Sequence, residues 1–548
     1  MAISIVSLHK FRSLTLKKTI FYITLILISF SLFLTSCSDP QSTSLKSTDT
    51  LYLRLGGEPT YLNPILSTDS PSSSVEGYIY SGLFKVNPDL ELEPDLITHY
   101  DVSNDKKTFV FYLRKNVKWQ DNTPLTAHDV KFTFDKILDK TTNTVRRSNY
   151  VIDGEPIQFN VLDPYTFQVI LPKPFAPFLI HMTMGIIPKH IFEKEDINKS
   201  TYNRNPIGCG PYQFKEWESG QYVKLVRNPL YYDKKPKIKT ILMKIIPDAN
   251  TALVSLEKGE IDQMGIPAKD YNRYKDNSSL NIFRYYGLSY TYMGFNIKNP
   301  IFDNILIRKA ITLSIDRTQI VNSVLKGLGK QSYLPSSPVL WSYPDDSDII
   351  KIDYNPKLAK KLLKDQGYTL NSKTKILEKD GVPFQFKIIT NKGNKDREKT
   401  AQIIQHYLKE IGIDVSIQLL EWSSFIKIVN EQKDPKDYDA VILGWGLGLD
   451  PDAYSIWHSS QYPKGFNFIG YKSSQSDSLI ERGRLELDKV KRKEIYTNLY
   501  KSIVEDYPYV FLYIPESIVA INKRVKGLSK SGPGGLMNPI ENIYLENL

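Results

Sequence analysis

Apolar residues follow three rhythms along this chain. The first is an unbroken run, Ile20–Leu34, about 15 residues long and preceded by Lys10, Arg12, Lys17 and Lys18. That is the length and flank of an export signal, and short of the ~20 residues a stable membrane span needs. The second is alternation. Thr108–Arg114 carries aromatic and branched residues in a β-type run, and Ile413, Val415, Ile417 and Leu419 alternate with polar neighbours, so both predict strands. The third is helical. Thr126 and Asp129 form a capping box, with Asp for the usual Glu, ahead of Val130, Phe134, Ile137 and Leu138. Asn355-Pro356 caps a helix whose face is Leu358, Leu362 and Leu363 and which Gly367 stops. Ile403, Ile404, Tyr407, Leu408 and Ile411 make another stripe, ended by Gly412. Two further stripes lie within Asp303–Gly327, one before and one after Asp316-Arg317. A strand-rich stretch from Thr50 to Pro188, followed from about 290 by alternating helices and strands, predicts an α/β protein of several lobes.

Composition narrows the class. With 548 residues the chain can build two to four cores, and 41% hydrophobic with 24% charged residues is ordinary for a globular protein. Formal net charge is +11, but the lysines are dispersed among acids without a basic block, which argues against nucleic acid as partner. Two cysteines, Cys37 and Cys209, cannot make a disulfide framework or a Cys-x-x-Cys metal site. The 35 tyrosines suit pockets with apolar walls and scattered hydroxyls.

Reactive constellations are missing from the sequence. There is no Gly-x-Ser-x-Gly elbow, no His-Glu-x-x-His pair and no phosphate-cradling loop. The 7 histidines lack ligand spacing, so neither a metal nor another cofactor is expected. Gly444-Trp-Gly-Leu-Gly448 lacks the spacing of a dinucleotide fingerprint. A large chain with aromatic loops and no nucleophile reads as a binding protein and not an enzyme.

Two resemblances sharpen this. Leu34-Thr-Ser-Cys37 resembles the bacterial lipobox, which implies cleavage before Cys37, lipidation of its thiol, and a tether over 37–49 holding the protein outside the cytoplasmic membrane. Five further segments, in order, resemble the peptide/nickel family of bacterial extracellular solute-binding proteins. They are Gly56-Gly-Glu-Pro-Thr-Tyr-Leu-Asn-Pro64; Phe111 to Val130, departing mainly at Gln120 and Asn122; Gly208-Cys-Gly-Pro-Tyr212 with Arg227-Asn-Pro-Leu-Tyr-Tyr232; Ile307 to Arg317; and Gly444-Trp445 with Asp450-Pro-Asp452.

The family resemblance implies a two-lobed periplasmic-binding-protein-like α/β fold with a hinge. Lobe I would comprise 50–77, 186–290 and 509–548, with an extra domain at 78–185, and lobe II 291–508, after a signal peptide at 1–36. It implies a monomer that captures an oligopeptide between its lobes and delivers it to the permease subunits of an ATP-driven (ABC) importer. Gly444, Trp445 and Gly446 would supply a backbone edge and a ring to the ligand. Tyr292, Tyr513, Glu58 and Tyr61 are further candidate contacts. Relatives often carry an aspartate three residues after the Trp for the peptide's ammonium; Gly448 stands there, so Asp450 is the candidate substitute. The departure leaves open a modified peptide or glycopeptide, a nickel or haem chelate with His458 near the loop, a surface lipoprotein without transport, and an exported hydrolase.

Overall fold

The computed structural model describes residues 47–529 and 539–547, so the apolar leader, Cys37 and most of the tether lie outside the described residues. Among the described residues no helix is long and apolar enough to cross a membrane.

Local rules set most elements. The strand Thr108–Leu113 alternates, turning Phe109, Phe111 and Leu113 inward. At the capping box, Thr126 N donates to Asp129 Oδ2 at 2.9 Å, and the helix Ala127–Leu138 that follows buries Val130, Phe134 and Ile137. Asn355 accepts from Leu358 N at 3.0 Å to start the helix Pro356–Asp365. Its buried face differs from the expected leucine stripe. Leu358 is 37% exposed while Ala359 and Leu363 are at 0%. The helix lies close against Ile305–Leu313, and a close approach selects the small Ala359 over its larger neighbour. Gly367 and Gly412 take positive φ (89° and 86°), ending their helices without a Cβ penalty.

A mostly continuous ribbon of strands runs through the molecule. Its order is Tyr212–Glu218, Tyr222–Arg227, Thr240–Ile245, Thr50–Leu55, Gln263–Gly265, Tyr509–Asn522, Ser289–Phe295, Ala440–Gly446, Gln385–Asn391 and Asp414–Leu420. The strand Tyr509–Asn522 is the joint. Its first half pairs with Ser289–Phe295 and Gly329–Gln331, and its second half with Leu280–Tyr286 and Gln263–Gly265. The change of partners falls around Pro515, which has no N–H to give a ladder. The chain makes its other passage between the halves in the short turn from Tyr286 to Ser289. Two sheets thus share one strand and are linked by two narrow crossings.

A separate antiparallel sheet, Ile97–Val102, Thr108–Leu113, Thr166–Ile170 and Gln158–Asp163, packs under the helix Ala127–Leu138. Its core of Phe111, Trp119, Phe134 and Phe167, all at 0% exposure, is continuous with Val223, Leu225 and Ile241 of the first sheet. A second core lies beneath the joint, running from Ala252 and Met264 to Met293, Val510 and Ala520. Beside it Asp262, at 0% exposure, takes both Arg524 Nε and Nη2 at 2.7 Å and Tyr52 N at 2.9 Å. This buried fork ties the first strand of the fold to the end of the last long one.

Candidate functional site

The strand Ala440–Gly446 pairs with Ser289–Phe295 along its whole length, from Phe295↔Ala440 to Ser289↔Gly446. On its other side Gln385–Asn391 reaches it only at Ala440 and Val441, and Thr390 Oγ1 donates to Ile442 O at 2.9 Å. Phase decides what is left. Asn296 N donates to Asp439 O at 2.9 Å and Leu447 N to Leu288 O at 2.7 Å, so odd-numbered residues bond inward. The N–H and C=O groups of Gly444 and Gly446 therefore point outward, and no protein group among the described residues takes them up. A Cβ at Gly444 would lie 2.9 Å from Arg397 Nη2 and 3.2 Å from Tyr290 O, so a side chain there would push the Arg397 guanidinium aside.

Trp445, between them, projects into a stack of rings. Tyr292 lies parallel to it at 6.2 Å, Phe468 at 5.2 Å, and Phe466 meets it edge-on at 5.6 Å. Tyr292 is in turn stacked on Tyr509 at 3.9 Å, and Trp445 Nε1 donates to the Tyr509 hydroxyl at 3.4 Å. Burial raises the Tyr292 phenol well above its ordinary value and pushes that of Tyr513 up to about 12, so both stay neutral donors. The Tyr513 hydroxyl sits 3.4 Å from Thr400 Oγ1.

Two cavities flank this edge. One, of about 330 Å³, is walled by Arg146, Ile180 and His181 on one side and by Trp445, Gly448, Asp450 and Trp457 on the other. The second, of about 340 Å³, lies between Arg54, Gly56 and Gly265 and the residues Asn391, Arg397 and Trp422. Each has walls from both halves of the fold, and the halves meet around them. Asn430 Nδ2 donates to Thr68 Oγ1 at 2.7 Å, and Arg484 Nη2 to Ser148 O at 2.7 Å.

The acids of the first cavity are already partnered. Asp450 forms a two-point pair with Arg492, both contacts at 2.6 Å. Burial acts to lower Arg492, but the bonds to Asp450 outweigh it and hold the guanidinium above its usual range. Asp452 lies 3.2 Å from Arg484 Nε and 3.9 Å from His181 Nε2. Burial first, then the nearby Arg484 charge, depresses His181 to about 3, so it is neutral.

The fold thus gathers Gly444, Trp445, Gly446, Tyr292, Tyr513 and Asp450 of the sequence candidates. It sets Glu58 and Tyr61 apart. The Glu58 carboxylate accepts from Trp217 Nε1 (2.8 Å), Ser219 Oγ (2.9 Å) and Gly220 N (2.8 Å), and Tyr61 is 42% exposed. His458, stacked on Tyr454 at 4.1 Å, is held by Ser460 and Glu481, and among the described residues no group of three metal-ligating side chains occurs. Sequence reasoning missed Arg397, Trp422, Arg484 and Arg492. Only Arg397 had a signal: a cation in the first turn of the helix Lys395–Glu410, where the helix dipole disfavours it.

Two sheet-built halves, with a free strand edge and two cavities between them, have the form of a solute-binding protein. Comparison with known proteins agrees. Residues 91–467 match the family described as bacterial extracellular solute-binding proteins, family 5. The oligopeptide-binding protein AppA of Bacillus subtilis is 35% identical over 530 residues, covering 93% of this chain and 96% of that one. Its structure in complex with a nonapeptide superposes with a TM-score of 0.86 at 36% identity, covering 91% and 99% of the two chains. NikZ of Campylobacter jejuni in complex with Ni(L-His) gives 0.80 at 28% identity, covering 89% and 96%. The chain belongs to the family 5 bacterial extracellular solute-binding proteins, and its fold is the two-lobed α/β fold of periplasmic binding proteins.

Proposed function

We propose that this protein is the lipid-anchored receptor of an ABC importer and that its solute is an oligopeptide. The observation that carries the reading is the outward-facing backbone of Gly444 and Gly446 beside two cavities. A peptide in extended form adds to such an edge through its own main chain, which every peptide has, while its side chains enter the flanking spaces. The Bacillus subtilis relative with its bound nonapeptide supports this reading.

The resemblance puts lobe I at 50–77, 186–290 and 509–548, with the extra domain at 78–185, and lobe II at 291–508; because residues 509–514 pair with Ser289–Phe295 and Gly329–Gln331, we place the boundaries at Gly287 and Pro515 instead, with 288–514 as lobe II. The two crossings around Pro515 and Gly287 serve as the hinge, and closure follows because a ligand touches both walls only when they meet. Cys37 carries the lipid, and the monomeric receptor offers its closed form to the permease.

Native mass spectrometry of the purified protein tests the reading. Co-purifying masses that fragment as peptides, and a rise in melting temperature with added nonapeptides, are expected. Absence of any response to peptides, with a response to nickel–histidine, overturns it.

A further inference from the structure

We infer that the ligand is anchored by an anionic group, a carboxylate, held on Arg397, and not by its ammonium end. This rests on the peptide reading above and adds the chemistry of the anchor.

The acids of the first cavity are already engaged. An arriving ammonium finds no free carboxylate there, since Asp450 is bonded at two points to Arg492 and Asp452 is paired with Arg484. Taking either carboxylate would leave a buried guanidinium bare, which costs more than a surface ion pair returns. In the second cavity Asp396 is in no ion pair among the described residues, but it stands among Arg54, Lys395 and Arg397, a lining that repels a cation.

Arg397 lies at the wall of the 340 Å³ cavity, and its Nη1 donates to Asn391 Oδ1 at 2.8 Å. Among the described residues no carboxylate oxygen comes within the 4.0 Å of an ion pair, unlike Arg484, Arg492 and Arg524. Its Nη2 lies over the face of the strand at Gly444, 2.9 Å from where a Cβ would stand. Nearby Arg54 is held by the carbonyls of Ile246 and Pro247, and Lys395 is paired with Asp248 and Glu398. Asp396 is the one acid in this lining, set against two arginines without a carboxylate partner. Burial lowers the Arg397 pKa and the helix dipole opposes its charge, so the position is unfavourable until an anion arrives. A guanidinium offers a planar fork that a carboxylate fills at two points. A strand laid along Gly444–Gly446 places one end at this fork and the rest toward Trp445 and Trp457. The carboxylate is either the peptide's C-terminus or an Asp or Glu side chain.

Four random nonapeptide libraries separate these outcomes, read by mass-spectrometric capture and competition on purified protein stripped of ligand. They carry free termini; an acetylated N-terminus; an amidated C-terminus; and an amidated C-terminus without Asp or Glu. The acetylated library is expected to bind like the free one, and the amidated, acid-free library tenfold or more weaker. The third library tells the C-terminal source from the side-chain source. Arg397→Gln should erase the difference between first and fourth libraries, and Arg397→Lys should restore part of it. The proposal is overturned if acetylation abolishes capture, or if Arg397→Gln retains full preference for carboxylate-bearing peptides. Failure of the wild-type protein to capture any library removes the peptide reading itself, and this inference with it.

Discussion

Arg484 clasps the two walls of the cleft, and its removal gives a measurable opening. The side chain is 4% exposed. Its guanidinium lies 4.2 Å from the Tyr454 ring and 3.2 Å from Asp452 on its own side. Across the cleft it donates to Ser148 O at 2.7 Å and sits over the Phe175 ring at 4.6 Å. Only the crossing contacts are lost on opening. A hydrogen bond from a charged donor contributes about 1.5–3 kcal/mol, and a desolvated cation over a ring about 0.5–2 kcal/mol. Closure of Arg484→Met should therefore be disfavoured by roughly 2–5 kcal/mol, about 1.5 to 3.7 decades in the closed-to-open ratio and up to that in peptide affinity. Small-angle scattering of the ligand-free protein reads the radius of gyration, and calorimetry the affinity. A larger radius and weaker binding are expected, both reversed in part at saturating peptide. An unchanged radius with unchanged affinity would refute the clasp, and with it the placement of the moving boundary between Phe175 and Arg484.

Three further outcomes follow from the same geometry. His181, depressed to about 3 from an ordinary 6.5, binds fewer protons folded than unfolded, so its contribution to stability declines as pH falls through about 6.5. Glu76, raised to about 8 by burial, runs the other way, so the measurement is the difference in denaturant midpoint between wild type and His181→Gln from pH 7 to 5, with the variant less acid-sensitive by about 1–2 kcal/mol. Asp262→Ala strips the partner from buried Arg524 and should cost about 3–5 kcal/mol in urea unfolding; a loss below about 1 kcal/mol would contradict the buried fork. Trp445→Ala removes three ring contacts and should cost about 1–3 kcal/mol of stability, while weakening peptide binding at least tenfold; equal affinity would remove the ring from the site.

Legibility varied with the range of the interaction. Capping and stop signals are local, so Thr126–Asp129, Asn355 and Gly412 marked their elements correctly from a few neighbouring residues. On Pro356–Asp365 the expected Leu362 and Leu363 do face the core, but Leu358 is displaced by Ala359, because packing against Ile305–Leu313, far away in sequence, favours the smaller side chain. Gly444-Trp445-Gly446 stood out as residues, but which backbone groups point outward depends on pairing phase with Ser289–Phe295, unreadable from one strand. The arginines that engage Asp450 and Asp452 lie on helices some 30 to 40 positions later, and ion pairs of that kind leave no spacing pattern.

The strand Tyr509–Asn522 belongs to both sheets. Each half therefore lacks a member of its scaffold until residues 509–522 are in place. Opening or loss of that one strand removes a member from both sheets at once, so the two halves share a single cooperative element.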